Sequence, residues 1–204
     1  IALLENVRFH PGEEKNDPKF SKLLSDVADL YVNDAFSVSH RRHSSIEGIT
    51  KLLPSYAGRA FQFEIDMLQK VLSNSNPPVM AIIGGSKVST KLKLMENLVE
   101  KMHTIAIGGG MANTFLLAKK INIGASFCEK SMQNDAKKII AKAKKFGCNI
   151  LLPLDAVVAN KLEVNAENEI VDIERVKNNK MILDIGPKTI DLFCNAIVNS
   201  KTVL

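Results

Sequence analysis

Three times in this chain an apolar run ends on glycine and gives way to a helix-like stretch: "VMAIIGG" at 79–85, "TIAIGGG" at 104–110 and "MILDIG" at 181–186. Strands that are almost wholly apolar and alternate with helices belong to a parallel sheet covered on both faces, because a strand with one wet face would alternate polar and apolar residues. In such sheets ligands bind at the carboxyl ends of the strands, where the strand-to-helix loops emerge. The three loops, at Gly84-Gly85, Gly108-Gly109-Gly110 and Gly186, are therefore expected on one edge. Glycine lets backbone approach a ligand closely, and a following helix offers free N–H groups and a positive dipole end that suit phosphate.

Any one such loop is weak evidence. The set gains from Lys87 and Lys91, four residues apart in "GGSKVSTK"; on a helix they would lie one turn apart and point at the same anion. The bland alternative, a solvated helix start, is disfavoured because cations near a helix N-terminus oppose its dipole unless an anion is bound. Neither G-x-x-x-x-G-K-[ST] nor G-x-G-x-x-G is present, so these residues alone indicate an α/β nucleotide or phosphate binder.

The rest of the chain follows the same logic. "IALLENVRF" reads as a strand and "PKFSKLLSDVA" as a helix with Asp17 as N-cap and Pro18 at its first position, its stripe being Phe20, Leu23, Leu24 and Val27. "LYVNDAF" reads as a second strand, followed by the cationic loop "SVSHRRHSS". A long amphipathic helix from about Gly58 to Leu72 carries Phe61, Ile65, Leu68 and Val71 on one face. "SNSNPP" at 73–78 punctuates the chain and places a domain boundary there or within the helix before it, giving domains 1–72 and 73–204. Beyond it, "KLKLMENLVEKM" is expected to bury Leu94, Leu98 and Met102, and Gly147 to cap the helix that starts at "QNDAKK". "NILLPLDAVVA" reads as one strand, 160–180 as a hairpin or loop, "PKTIDLFCNAIVN" as a helix and the final "KTVL" as a strand beginning.

If the first two strands are parallel, Arg8 and His10 emerge on the same edge as His40, Arg41, Arg42 and His43. Arginine forks suit phosphate and carboxylate; Arg8 and Arg41 are read as an anion site and Arg42 as an exposed basic residue. A zinc site at His40 and His43 lacks further ligands at suitable spacing. Of 27 Lys and Arg, 18 lie in 79–204 against 12 Asp and Glu, an imbalance that suits an anionic ligand. Few aromatics and no nucleic-acid motif argue against DNA or RNA; no apolar stretch approaches the roughly 20 residues of a membrane span, and no signal peptide is evident. Cys128, Cys148 and Cys194, in no metal spacing, read as reduced fillers in a cytoplasm.

"LLENVRF", "YVNDAFSVSHRRHSS", "AIIGGSKVSTKL", "IGGGMANTFL", "LLPLDAVVA" and "LDIGPKTIDLF" follow the order and spacing of phosphoglycerate kinase, and the chain resembles that family from end to end. The resemblance implies an α/β fold of two Rossmann-like parallel-sheet lobes joined by a long helix, both incomplete here: 1–72 as the later part of the phosphoglycerate-binding lobe plus the interdomain helix, and 73–204 as the earlier part of the nucleotide-binding lobe. It implies phosphoryl transfer between 1,3-bisphosphoglycerate and ADP, giving 3-phosphoglycerate and MgATP in glycolysis, in a cytoplasmic enzyme that is monomeric when whole. By motif match, Arg8 and Arg41 would hold phosphoglycerate. Lys87 would act catalytically at the transferred phosphoryl group, Lys91 would contact the nucleotide phosphates, and Gly85, Gly109, Gly110 and Gly186 would line the nucleotide pocket. Mg²⁺ would arrive with ATP or ADP, with no protein metal site among these residues. Ser37, Ser39 and Arg42 stand where the family's "NDAFGTAHRAH" has smaller residues. The family's opening Asp-Phe-Asn strand and His-Leu-Gly-Arg loop, and its closing Gly-Pro-Met-Gly-x-Phe-Glu and Gly-Gly-Asp-Thr segments, are not in this sequence. The expectation is therefore an inactive isolated segment; the competing reading is a residual nucleotide-binding or interaction module, or the product of a decaying gene.

Overall fold

The computed structural model describes residues 1–73 and 76–204, so part of the "SNSNPP" linker lies outside the described residues. The chain forms two compact units, Ile1–Lys70 and Val71–Leu204.

In the first unit, α1 (Pro18–Ser25) starts as its sequence requires: the Asp17 carboxylate accepts from the Phe20 N–H at 2.9 Å, and Pro18 occupies the first turn. Strands β1 (Tyr31–Asn33) and β2 (Ser55–Ala57) form a two-stranded parallel sheet. Helix α2 (Arg59–Ser73) follows, with Phe61, Ile65, Leu68 and Val71 half-buried while Phe63 and Met67 are exposed. Two expectations fail here. Residues 1–6 form no strand and Val7–Phe9 form a 3-10 turn; a strand exists only with a paired neighbour, and among the described residues β1 pairs only with β2. Helix α1 buries Phe20, Ser21 and Ser25, whereas Leu23 and Val27 are exposed and line an apolar groove of ≈ 450 Å³ with Leu4 and Phe9.

The second unit holds the main core. Strands β3 (Val79–Ile83), β4 (Thr104–Ile107), β5 (Asn149–Leu151) and β9 (Thr202–Val203) form a parallel sheet in the order β5-β4-β3-β9. Helices α3 (Leu92–Leu98), α4 (Gly109–Ala118) and α5 (Gln133–Phe146) lie between these strands in sequence; Gly147 ends α5 in the left-handed region at φ 73°. Helix α3 starts late and buries Met95, Leu98 and, just beyond it, Val99 and Met102; Leu94 is exposed, one residue off the expected stripe.

The run "NILLPLDAVVA" is two strands, not one. Leu152-Pro153-Leu154 breaks it, and β6 (Asp155–Ala159) joins a separate antiparallel sheet with β7 (Asn168–Asp172) and β8 (Met181–Ile185), in the order β7-β6-β8. Proline lacks the N–H a continuing ladder needs, so the break falls there. Residues 160–180 contain the hairpin arm β7. Gly186, which follows β8 and precedes α6 (Pro187–Val198), therefore does not lie on the parallel sheet's edge. Cys148 is a buried filler, Cys128 is half-buried and Cys194 is exposed, so the filler reading fails for Cys194.

Candidate functional site

In the second unit, β3 and β4 end beside each other and release the two glycine loops. Gly85 (φ 137°) and Gly109 (φ 65°) both occupy backbone regions that side chains avoid. They also touch: a Cβ on Gly109 would stand 3.0 Å from the Gly85 carbonyl oxygen, and that oxygen accepts from the Met111 N–H at 2.8 Å. Nothing lies within 4 Å of the Cβ positions of Gly84 and Gly108, so the outer side of both loops is open. The first helical position of α4 follows, and its N-cap Gly108 has no side chain to satisfy the free N–H groups.

Lys91 is half-buried, with its Cε 3.4 Å from the Cβ position of Gly85, so its stem lies over the glycine turn. Lys87 is exposed, and neither lysine is in an ion pair among the described residues. Lys87 and Lys91 do not share a turn of helix. Residues 84–91 are an irregular loop and Lys91 is the N-cap of α3, so the loop's fold, not helical spacing, fixes both lysines. Buried Val88 anchors that loop from below, and the Thr90 hydroxyl donates to the Lys87 carbonyl at 3.0 Å.

Gly109 and Gly110 line a small cavity of ≈ 80 Å³ with Asn113, Pro153 and the Ile182–Ile185 strand. Gly186 lies at the end of that strand, yet the helix terminus behind it is already occupied. The Asp155 carboxylate, 1% exposed, accepts from the Thr189 N–H (2.9 Å) and hydroxyl (2.6 Å) and from the Lys188 N–H (2.9 Å). A Cβ on Gly186 would fall 2.4 Å from that carboxylate. Burial pushes the Asp155 carboxyl up, but the bonds from Thr189 and Lys188 outweigh it and hold the group below its ordinary range. The N-terminus of α6 thus carries an internal anion that no local pattern announces, its partners being 33 and 34 residues apart.

In the first unit, Arg8 and Arg41 are exposed and neither is in an ion pair among the described residues. Arg42 pairs with Glu47 (3.2 Å), as its assignment to a plain surface role requires. Hydrogen bonds from Lys51, with others from Arg42 and Asn16, hold the Glu47 carboxyl down to about 2. With no first strand, the shared sheet edge cannot bring Arg8 and Arg41 together. What ties their loops is Glu13: its N–H donates to the His10 carbonyl (3.1 Å), its carbonyl accepts from Ser44 (3.0 Å), and its buried carboxylate accepts from the Ser45 N–H (3.0 Å) and hydroxyl (2.6 Å). The His10 ring is stacked on Phe20 at 3.7 Å, with its Nδ1 accepting from the Gly12 N–H. Asn33, Asp34 and Ser39 of the "NDAFSVS" loop are likewise used internally: Ser39 accepts from Asn33 at 2.9 Å, and Asp34 accepts from the Phe61 N–H at 2.9 Å.

A sequence model described as phosphoglycerate kinase matches residues 1–204. The chain belongs to the phosphoglycerate kinase family. It is 55% identical over 191 residues to a phosphoglycerate kinase of Chelativorans sp. (strain BNC1), covering 94% of this chain and 48% of that protein. It is 54% identical over 204 residues to one from Bartonella quintana (strain Toulouse), covering 100% and 51%. Among solved structures, phosphoglycerate kinase from Coxiella burnetii aligns with TM-score 0.78 at 36% identity, over 97% of this chain and 51% of that one. Phosphoglycerate kinase from Pyrococcus horikoshii OT3 aligns with TM-score 0.80 at 27% identity, over 100% and 53%. The chain thus spans about half the length of the phosphoglycerate kinases it matches. Among the described residues, no helix is long and apolar enough to cross a membrane.

Proposed function

We propose that this polypeptide is half of a cytoplasmic, ATP-binding kinase of glycolysis that moves a phosphoryl group between 1,3-bisphosphoglycerate and ADP, yielding 3-phosphoglycerate and ATP. The nucleotide is assigned to the second unit and phosphoglycerate to the first. The observation that carries the reading is the joined pair of glycine loops, open outward at Gly84 and Gly108, with the Lys91 stem laid across Gly85.

In this reading Gly85, Gly109, Gly110 and Gly186 form walls of the nucleotide site. Lys91 meets the nucleotide phosphates, and the exposed Lys87 ammonium offsets charge that builds on the phosphoryl group in flight. Such transfer asks little covalent chemistry of the protein; positioning and electrostatic stabilisation dominate. Arg8 and Arg41, exposed and outside any ion pair among the described residues, offer guanidinium forks for the carboxylate and phosphate of the acceptor. The groups around Gly84-Gly85 are ammonium and backbone, a donor set for phosphate oxygens rather than for a metal, so Mg²⁺ is proposed to enter on the nucleotide and to neutralise part of its charge. The whole enzyme is proposed to be a monomer with neither nucleic-acid nor membrane partners.

Two measurements test this. MgADP titrated into the 204-residue chain should bind, while an assay with 3-phosphoglycerate and ATP should show turnover far below that of the whole kinase, because charge stabilisation lost from a single comparable site costs about 10²–10³ in rate. In a full-length polypeptide supplying both flanking regions, Lys87→Ala should cut kcat far more than it raises KM for the nucleotide. Unchanged kcat would remove Lys87 from the chemistry.

A further inference from the structure

The Lys87 ammonium sits on an irregular loop, and a charge on a wandering loop cannot be aimed at one phosphoryl oxygen. The loop is nevertheless pinned on both sides of it. Before Lys87, the Gly85 carbonyl is held by the Met111 N–H at 2.8 Å; after it, Val88 is fully buried. The third pin is remote in sequence. Both oxygens of the Glu129 carboxylate engage Ser89, Oε2 accepting from its N–H at 2.9 Å and Oε1 from its hydroxyl at 2.6 Å.

Glu129 is itself fixed by residues of the "GGGMANTF" motif that the glycine argument leaves unused. Its N–H donates to the hydroxyl of Thr114 at 3.0 Å, and Asn113 Nδ2 donates to the Phe127 carbonyl at 3.0 Å. Thr114 and Asn113 are buried polar residues in the otherwise apolar α4; the Thr114 hydroxyl and Asn113 Nδ2 find their partners in 127–129, while Asn113 Oδ1 has none among the described residues. A chain of contacts therefore runs from α4 through 127–129 to the loop that bears Lys87.

We propose that Glu129 is a positioning residue: it clamps Ser89 so that the Lys87–Lys91 loop is preorganised for the nucleotide phosphates. This rests on the nucleotide reading above. The two bonds to Ser89 hold Glu129 below the ordinary carboxylate range, so the clamp is charged and intact at neutral pH. Electrostatics and geometry make opposite forecasts here. If Glu129 mattered only as a negative charge near Lys87, removing it would tighten phosphate binding; as a clamp, its loss weakens binding.

The test uses the 204-residue chain with Glu129→Ala, Glu129→Gln, Ser89→Ala and the Glu129→Ala/Ser89→Ala double variant. Amide hydrogen exchange in peptides covering 84–91 should speed up about tenfold in Glu129→Ala, the scale of a charge-assisted hydrogen bond discounted for partial exposure, with β3 and α4 unchanged. MgADP affinity should fall by a similar factor while adenosine affinity holds, and Glu129→Gln, which keeps an acceptor, should lose less. The double variant should match Glu129→Ala alone, since one contact is removed once. Unchanged exchange at 84–91, tighter MgADP binding, or an equal loss for adenosine would each overturn the proposal. If the wild-type chain binds neither MgADP nor adenosine, it is the nucleotide reading that fails, and the exchange arm still decides the clamp.

Discussion

Replacing Asp155 with alanine should strip α6 of the anion at its N-terminus, and the structure sets the size of the effect. Thr189 is fully buried, so its N–H finds no water once the carboxylate is gone. An orphaned buried donor costs about 1–3 kcal/mol. The Thr189 hydroxyl loses less, because the backbone carbonyl of residue 155 lies 3.1 Å away as a second acceptor. Lys188 is exposed and its N–H rehydrates. Adding the lost attraction between a carboxylate and a helix N-terminus, roughly 0.3–1 kcal/mol, the total is about 3 kcal/mol. For a chain of this size that lowers Tm by roughly 6–12 °C, readable by circular dichroism with urea midpoints as a check. Asp155→Asn keeps one acceptor for Thr189 and should lose about half as much. Because the native carboxyl titrates below its ordinary value, its stabilisation is complete above the unfolded pKa of about 3.9 and fades as pH falls through the lower native one. The stability gap between wild type and Asp155→Asn should thus stay constant from neutral pH to about 4 and close below it. A Tm loss under about 2 °C for Asp155→Ala, or a gap that widens in acid, would refute the reasoning.

Gly109→Ala should destabilise the second unit by about 1–3 kcal/mol, since the new Cβ meets the Gly85 carbonyl at 3.0 Å and the backbone stays at φ 65°; a chemical-denaturation midpoint equal to wild type would contradict this. Among the thiols, the exposed Cys194 should react with a disulfide reagent first and Cys148 last, because burial pushes the Cys148 thiol up to about 11 and leaves little thiolate at pH 8. Mass mapping of the labelled sites over time gives the order directly.

Local rules carried over to the structure where local physics decides. Asp17-Pro18 starts α1 and Gly147 ends α5 because a cap or a left-handed turn is a property of a few adjacent residues. The apolar stretches 79–83 and 104–107 are strands because each is apolar enough to be buried on both faces and each finds the other as a parallel partner. Reading failed wherever a distant partner was needed. Residues 1–9 have the composition of a strand and pair with no strand among the described residues. Pro153 was visible in "NILLPLDAVVA", yet its power to move the chain from one sheet to another depends on Thr189, whose hydroxyl accepts from the N–H groups of Leu154 and Asp155. In the candidate site the glycines and lysines stood out by type and spacing. Glu129 and Asp155 did not, because a carboxylate 40 or 34 residues from its partner looks like any surface acid; the one available hint was Asn113-Thr114, two polar residues inside an apolar helix.

The contrast between the starts of α4 and α6 bears on where an anionic group can be seated. At α4 the Gly85 carbonyl takes the Met111 N–H, and the Gly109 and Gly110 N–H groups follow a glycine with no side-chain cap, whereas at α6 Asp155 accepts from both the Lys188 and the Thr189 N–H. An anionic group approaching the first helix start meets donors unclaimed among the described residues, whereas at the second a buried carboxylate already holds them. Which helix start can still take a charge is thus decided by one side chain and not by the helices themselves.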